Sequence, residues 1–592
     1  MPGLPGKSNS NRGEPVRMTR QDSFTADQQV LINFQEGVFV EACPGAGKTQ
    51  SIVERFVRRP VDDPRRGVAL VSFTNAAVDE ARGRCSVNQD LLKPPNYIGT
   101  IDGFINRYIT GPIYSNRTGR PPVFKDSWED SYHSSFTIST GLRFELQWFT
   151  ISVDGSASFD SKKVAWPDRD PYKWLLPRVI EEANTQAADL IRQHLSRGVL
   201  DCSYSRLLMN AYLADQELGP RIGELLRARF SEVIVDEIQD CSPSDVELFE
   251  FLVSAGVRVV MVGDLDQAIY NFRGSALLET QELTAKVAAG RRLSGNFRSS
   301  PAICSLVDSL RHGPDTDQPV GQNKDLKTPV LLMSVSSFNG HVETLRNACV
   351  KHGIDPAELL CLSHATEKAR ELAGDIRIPI KSRARLVRIA VAAATLRDVS
   401  KGATREYARA AASLTSRIRE LHSSTDLRYV ADNEFFERVD LTAREFRSGM
   451  LRVVYAADPF TGTAEEYRES ILGAAGLAGW DWVSPDLLPV PMDWPQGDVP
   501  ISENLNWSTV HGYKGLEAEA IALAIPAPPE WAVGRLGDGV ACWSDGRASE
   551  ARRVLYVGAS RARRLAILVV DESLAGNVET ILLRDQVPFE RL

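Results

Sequence analysis

The stretch VFVEACPGAGKTQSIVERF, from Val38 to Phe56, constrains the fold of this chain more than any other. An apolar run, Val38 to Val40, feeds a turn containing Gly45 and Gly47, and a helix-like stretch follows. That order of strand, loop and helix is the context a phosphate-binding loop requires. Glycines let backbone N–H groups curl around an anion, and the helix N-terminus adds its positive dipole end. The candidate nucleotide site comprises Ala42, Pro44, Gly45, Ala46, Gly47, Lys48, Thr49 and Gln50. Lys48 supplies a charge for the outer phosphates, and Thr49 offers a hydroxyl to Mg²⁺. Ala42 stands where the simple pattern has its first glycine. An ordinary glycine-rich turn before a helix remains the alternative, and the loop alone indicates ATP or GTP without indicating the work done.

A chain of 592 residues is too long for one compact core, so several domains are expected. With 43% hydrophobic and 25% charged residues, the composition is that of an ordinary globular chain. The formal net charge of −8 announces no nucleic-acid partner, so any basic groove must be local. Eight cysteines without CxxC pairs or Cys/His clusters read as reduced thiols of a cytoplasmic protein. No apolar run approaches a membrane span, and residues 1–22, rich in Pro, Gly, Ser and Asn, read as a disordered tail.

Short apolar strands recur with helical stretches between them: VFVEA, VALVSF, YIGTI, EVIVDE and VRVVMVGD, then PVLLMSV, LLCLSH, AIALAI and LAILVV. This alternation predicts an α/β chain with two lobes, each a parallel sheet wrapped by helices. The first lobe is expected over 23–105 and 230–300, with an insertion at 106–229. The second is expected over 301–379 and 484–592, with an Ala- and Arg-rich helical insertion at 380–483.

In EVIVDEIQDCSPSDVELFEFL, a β-branched strand ends at Asp236 and Glu237. Two carboxylates thereby sit at a strand's C-terminal edge, where ligands of open α/β sheets bind. Asp236 is suited to hold Mg²⁺ and Glu237 to deprotonate an attacking water. A solvated acidic pair at a strand end is the competing reading, which a phosphate loop upstream in the same sheet disfavours.

VDEIQD together with VGDLDQAIYNFRGS resembles the UvrD, Rep and PcrA family of superfamily 1 helicases. FTADQQ, SFTNAAVDEARGR, GTIDGF, LSGNFRSS, STVHGYKGLEAE and EARRVLYVGASRARR resemble further family blocks, in the family's order. The resemblance implies two RecA-like P-loop lobes, each with a mainly helical insertion, that use ATP and Mg²⁺ to move 3′ to 5′ on DNA. It implies that Lys48, Glu237, Gln267, Arg298 and Arg561 form the catalytic set, with Gln267 sensing the γ-phosphate and the two arginines closing over it. It places Gln28 on the adenine edge, Phe297 on the adenine face and Glu517 at the ribose. Phe73, Thr74, Asn75, Tyr270, Phe272, Arg273 and His511 match strand-contacting positions, Arg273 linking ATP to DNA. The implied partners are single-stranded DNA and single/double-strand junctions.

The chain departs from the family pattern in several places. Phe272 replaces a usual Trp, Ala76 a Lys, Asp102 a His and Ala518 a Phe, and Gly512 and Tyr513 stand where two small residues are usual. A block common in the second insertion of the housekeeping helicases is missing. The pattern is similar to compact UvrD-like members of phage-defence systems such as Gabija, where the helicase-like component works with a nuclease. The expected activity is therefore a DNA helicase or translocase, in repair or anti-phage defence. The alternatives are a DNA-activated ATPase that regulates a partner nuclease and a catalytically silent DNA-binding scaffold. The Arg-rich segment from Lys381 to Arg419 is a candidate nucleic-acid or partner face, with a plain solvated surface as the alternative.

Overall fold

The computed structural model describes residues 24–58, 65–73, 75–86, 88–130, 134–164, 172–269, 277–375, 384–397, 405–423, 432–491, 494 and 504–592. The expected tail at 1–22 lies outside them.

Six parallel strands form the first sheet: β1 (Val38–Glu41), β2 (Gly67–Ser72), β3 (Tyr97–Thr100), β4 (Phe230–Val235), β5 (Arg258–Gly263) and β6 (Ala288–Ala289). Their spatial order is β6-β1-β5-β4-β2-β3. A parallel sheet is covered on both faces, which is why its strands read as unbroken apolar runs. All of β2 is buried, and its successive side chains point to opposite cores. Leu70 packs with Val40, Ile52, Phe56 and Val260 on one face. Ala69 and Val71 pack with Val233, Val259 and Met261 on the other.

The second core continues into the segment between β3 and β4. There the helices Pro177–Ser196, Cys202–Ala214 and Leu218–Arg229 are joined by two antiparallel hairpins, Ser135–Thr137 with Arg143–Glu145 and Phe149–Ile151 with Ala157–Phe159. Phe144 meets Phe159 and Tyr172 edge-on, with centroids 5.2 and 5.4 Å apart. Such pairs add to area burial and hold the small hairpins in place. The hairpins are a feature that the segment's polar composition did not announce.

The second sheet is also parallel: β7 (Val330–Val335), β8 (Leu359–Ser363), β9 (Asn506–Thr509), β10 (Ala518–Ile525), β11 (Ala562–Asp571) and β12 (Phe589–Arg591). Its order is β9-β8-β10-β11-β7-β12. Between β8 and β9 lie helices Arg385–Arg397, Arg405–Arg419, Asp432–Arg438, Ala443–Val454 and Ala464–Leu477, with their own core around Leu386, Phe435, Phe446 and Trp480. Phe446 stacks on Trp480 with centroids 5.1 Å apart, and a Cβ at Gly449 would fall 2.2 Å from the Trp480 ring, so this helix needs a glycine there.

The chain is therefore α/β with two RecA-like lobes. It passes from one lobe to the other between Leu293, whose N–H donates to Glu41 of β1, and Ser300, whose N–H donates to Arg563 of β11. Among the described residues, no helix is long and apolar enough to cross a membrane.

Candidate nucleotide site between the lobes

The phosphate loop is suspended between strands. Ala42 N–H donates to Gly263 and Cys43 N–H to Leu293, both at 2.9 Å, and Pro44 lies in the turn. Gly45 and Gly47 have φ of 73° and 70°, in the left-handed region that favours glycine. Lys48 then opens the helix Lys48–Arg58, with Thr49 half-buried and Gln50 exposed in its first turn. Gln28 is buried beside the loop, donating to the Ala46 carbonyl at 2.9 Å, while its side-chain oxygen accepts from Thr25 N–H at 2.9 Å. It thus closes the capping box of helix Ala26–Asn33 and braces the loop at once.

β4 delivers the acidic pair. Asp236 is buried, and its Oδ2 accepts from the Thr49 hydroxyl at 3.5 Å. Burial first, and then repulsion from Glu237, pushes the Asp236 carboxyl up to about 7. Glu237 adopts φ 54°, unusual for a residue with a side chain, and its N–H turns back onto Asp236 Oδ1 at 3.0 Å. Left-handed non-glycine residues cost about 1–3 kcal/mol and persist where the surroundings enforce them. The Gln239 amide donates to Glu237 Oε2, and Lys48 Nζ lies 3.8 Å from Oε1. Burial opposes ionisation of Glu237, but the charges of Lys48 and Lys514 and the Gln239 amide outweigh it and hold the carboxyl below its ordinary range. Thr49 and Asp236 offer hard oxygen donors at one point, a set that fits a divalent cation such as Mg²⁺.

The second lobe closes over this edge. Arg561 is 2% exposed and donates to Gln267 Oε1 at 3.0 Å. Burial, followed by repulsion from Arg298, lowers its guanidinium to about 10. Arg298 pairs with Glu517 at 2.5 Å and donates to the Ser560 carbonyl at 3.0 Å. Phe297 N–H donates to Gly45 at 2.9 Å, and the residue is 37% exposed. A Cβ at Gly45 would lie 2.6 Å from Arg298 Cβ, so the loop and the inter-lobe crossing fit only with glycine there. Lys514 donates to Asp240, Arg553 to the Ala268 carbonyl and Tyr556 to Asp264. Every one of these bonds joins the loops after β4 and β5 to the second lobe.

The structure thus brings Lys48, Thr49, Asp236 and Glu237 together, joins Gln267 to Arg561, and pairs Arg298 with Glu517. The pattern that defines the UvrD/REP helicase N-terminal domain matches residues 24–288. Residues 24–288, the first lobe together with its insertion, are thus similar to the N-terminal domain of UvrD-like superfamily 1 helicases.

The chain is 23% identical over 291 residues to DNA helicase II of Salmonella typhimurium, covering 47% of the chain and 38% of that protein. It is 24% identical over 298 residues to the putative ATP-dependent DNA helicase YjcD of Bacillus subtilis, covering 48% and 38%. Over 142 residues it is 32% identical to one component of the ATP-dependent helicase/nuclease of Lactococcus lactis, covering 20% and 12%. The matched stretch spans less than two fifths of each of these relatives.

Of the residues expected to contact a strand, Phe73 is half-buried against the first-lobe core, and Asn75 is exposed at the start of helix Asn75–Cys85. Thr74, Tyr270, Phe272 and Arg273 lie outside the described residues. His511 contacts the Ile269 carbonyl at 2.9 Å through Nε2, which sets it against the segment leading to Tyr270. Asp102, the departure from the family's His, is ion-paired with Arg206 at 2.5 Å, and Arg206 also holds Asp245 at 3.2 Å. The acid at 102 therefore fastens its helix to the insertion. Within the Arg-rich segment, part of which lies outside the described residues, Arg385 and Arg417 pair with Glu420, and Arg397 pairs with Asp458.

Gln239, Asp240, Asp264, Lys514 and Tyr556 belong to the site and were not anticipated. Each stands within a block that carried the family resemblance, VDEIQD, GDLDQ, HGYKGLE or LYVGAS, and that position was the available signal.

Proposed function

We propose that the chain is an ATP-dependent DNA translocase and helicase of the UvrD type, moving 3′ to 5′ along single-stranded DNA in repair or anti-phage defence. The observation that carries this reading is the bond from Arg561 to Gln267 across the lobe boundary, above the Lys48 and Glu237 pair. Positive charge reaches the site from both lobes, as phosphoryl transfer to water demands.

In this reading, Lys48 and the loop N–H groups bind the outer phosphates. Glu237 stays ionised beside Lys48 and accepts the proton of the attacking water, while Gln239 fixes its orientation. Thr49 and Asp236 would hold Mg²⁺, whose charge offsets that developing on the phosphate oxygens. Arg561 from the second lobe and Arg298 from the crossing between lobes stabilise the same charge, Arg298 exchanging Glu517 for phosphate. Phe297 stacks on the base, Gln28 reads its edge and Glu517 contacts the ribose. Lobe closure then carries the strand-contacting segments at Phe73 to Asn75, Tyr270 to Arg273 and His511 past successive bases, in the cytoplasm. The division into lobes at 23–105 with 230–300 and 301–379 with 484–592, and insertions at 106–229 and 380–483, belongs to the same proposal.

The deciding experiment measures ATP turnover with and without single-stranded DNA, then opening of 3′-tailed and 5′-tailed duplexes. Strand-stimulated turnover with a 3′-tail preference supports the reading, and turnover indifferent to DNA sinks it. A second reading, a DNA-activated ATPase serving a partner nuclease, is favoured by the likeness to a helicase/nuclease component. It predicts strand-stimulated turnover with little unwinding by the isolated chain.

A further inference from the structure

Tyr556 lies in the middle of helix Glu550–Ala559 of the second lobe, with 0% exposure. Its hydroxyl donates to Asp264 Oδ2 at 2.7 Å, across the lobe boundary. The same carboxylate oxygen accepts from Gln267 Nε2 at 2.9 Å. Because Nε2 is committed to Asp264, the Gln267 carbonyl oxygen must point the other way, where it accepts from Arg561 Nη2 at 3.0 Å. A glutamine amide has nearly the same shape in either flip, so only its partners decide which end faces the site. The other Asp264 oxygen is engaged by Asp266 N–H at 3.2 Å, which pins the carboxylate. Arg311 Nη2 in turn donates to the Tyr556 hydroxyl at 2.8 Å, which leaves the phenolic proton for Asp264. Asp264, Gln267, Arg311 and Arg561 are all at most 4% exposed, so water does not substitute for any of these partners.

We propose that Tyr556 is a positioning residue for hydrolysis: by seating its hydroxyl on Asp264 when the lobes meet, it fixes the flip of Gln267 and so makes sensor geometry conditional on lobe closure. The inference rests on the proposed ATPase reading. Tyr556→Phe removes one oxygen and keeps the ring. With that donor gone, Asp264 Oδ2 keeps Gln267 but loses Tyr556, so the carboxylate is held less firmly and the Gln267 amide is less strictly oriented.

The test measures steady-state ATP turnover with single-stranded DNA for wild type, Tyr556→Phe, Gln267→Ala and the double variant. Tyr556→Phe is expected to lower kcat about tenfold while KM for ATP stays within about twofold, the loss expected of misorientation rather than lost affinity. The double variant is expected to be no slower than Gln267→Ala, because both act through one side chain. Asp264→Asn, which keeps Tyr556 and disrupts the shared acceptor, is expected to reproduce the drop. Losses that multiply in the double variant, or wild-type kcat in both Tyr556→Phe and Asp264→Asn, overturn the proposal. Absence of DNA-stimulated turnover in the wild type itself would instead overturn the proposed function.

Discussion

Lys514 of the second lobe is ion-paired with Asp240 of the first, and the same ammonium donates to the Gln267 carbonyl at 2.7 Å. The side chains are 7% and 12% exposed, so the pair is shielded from solvent. One cation thus ties the loop after β9 to both the loop that carries Glu237 and the loop that carries Gln267.

Lys514→Met leaves the Asp240 carboxylate buried without its partner, a loss of about 3–5 kcal/mol in buried pairs. The variant should melt earlier and hydrolyse ATP more slowly with DNA. Lys514→Met with Asp240→Asn should recover much of the melting temperature, read by calorimetry. Equal melting of the single and double variants would show that the pair carries no such load.

Lys48→Ala and Glu237→Gln separate binding from chemistry. The first should weaken nucleotide binding, because a phosphate partner is lost. Glu237→Gln should retain bound ATP and hydrolyse it at least about a hundredfold more slowly, the usual scale for a general base. Filter binding and single-turnover hydrolysis provide the two readouts, and wild-type hydrolysis by Glu237→Gln would remove the residue from that role.

The proposed reaction puts Arg561 where charge matters most, as the phosphate bond breaks. Arg561→Ala should therefore lower kcat more than it raises the dissociation constant for ATP. A change confined to binding would contradict the assignment.

Asp308 provides a pH test that is read through stability rather than turnover. Its two oxygens accept from Asp317 N–H at 3.0 Å, and burial followed by repulsion from Asp317 raises its carboxyl to about 7, against the pull of Arg311 and Arg292. The folded protein therefore holds a proton that the unfolded chain releases. That stabilisation is full below the unfolded value near 4 and is lost as pH rises through about 7. Asp308→Asn lacks the titration, so its melting temperature should gain on wild type between about pH 5 and pH 8. Parallel curves would refute the assignment.

Much of the site could be read from the sequence because its chemistry fixes local spacing. Lys48 and Thr49 must follow the glycine turn, and Asp236 and Glu237 must end an apolar strand. The long interior strands were legible for the same kind of reason, since burial on both faces demands unbroken apolar runs. The edge strands Ala288–Ala289, Asn506–Thr509 and Phe589–Arg591 were not, because a short strand with one neighbour needs no such run. The roles of Asp102, Tyr556 and Lys514 depend on partners distant in sequence, Arg206, Asp264 and Asp240, which spacing along the chain does not reveal.

The bond from Phe297 to Gly45 places the crossing between lobes on the phosphate loop itself. In the proposed cycle, a lobe rotation would pivot beside this loop, and the molecule would act as a lever with its short arm there. An ångström-scale shift at Gly45 sweeps a remote surface in proportion to its distance from that fulcrum. In that cycle, rotation about this point would also shear the seam formed by Lys514, Tyr556 and Arg561, so a small change at the phosphates would be geared into a longer stroke at the rim of the second lobe.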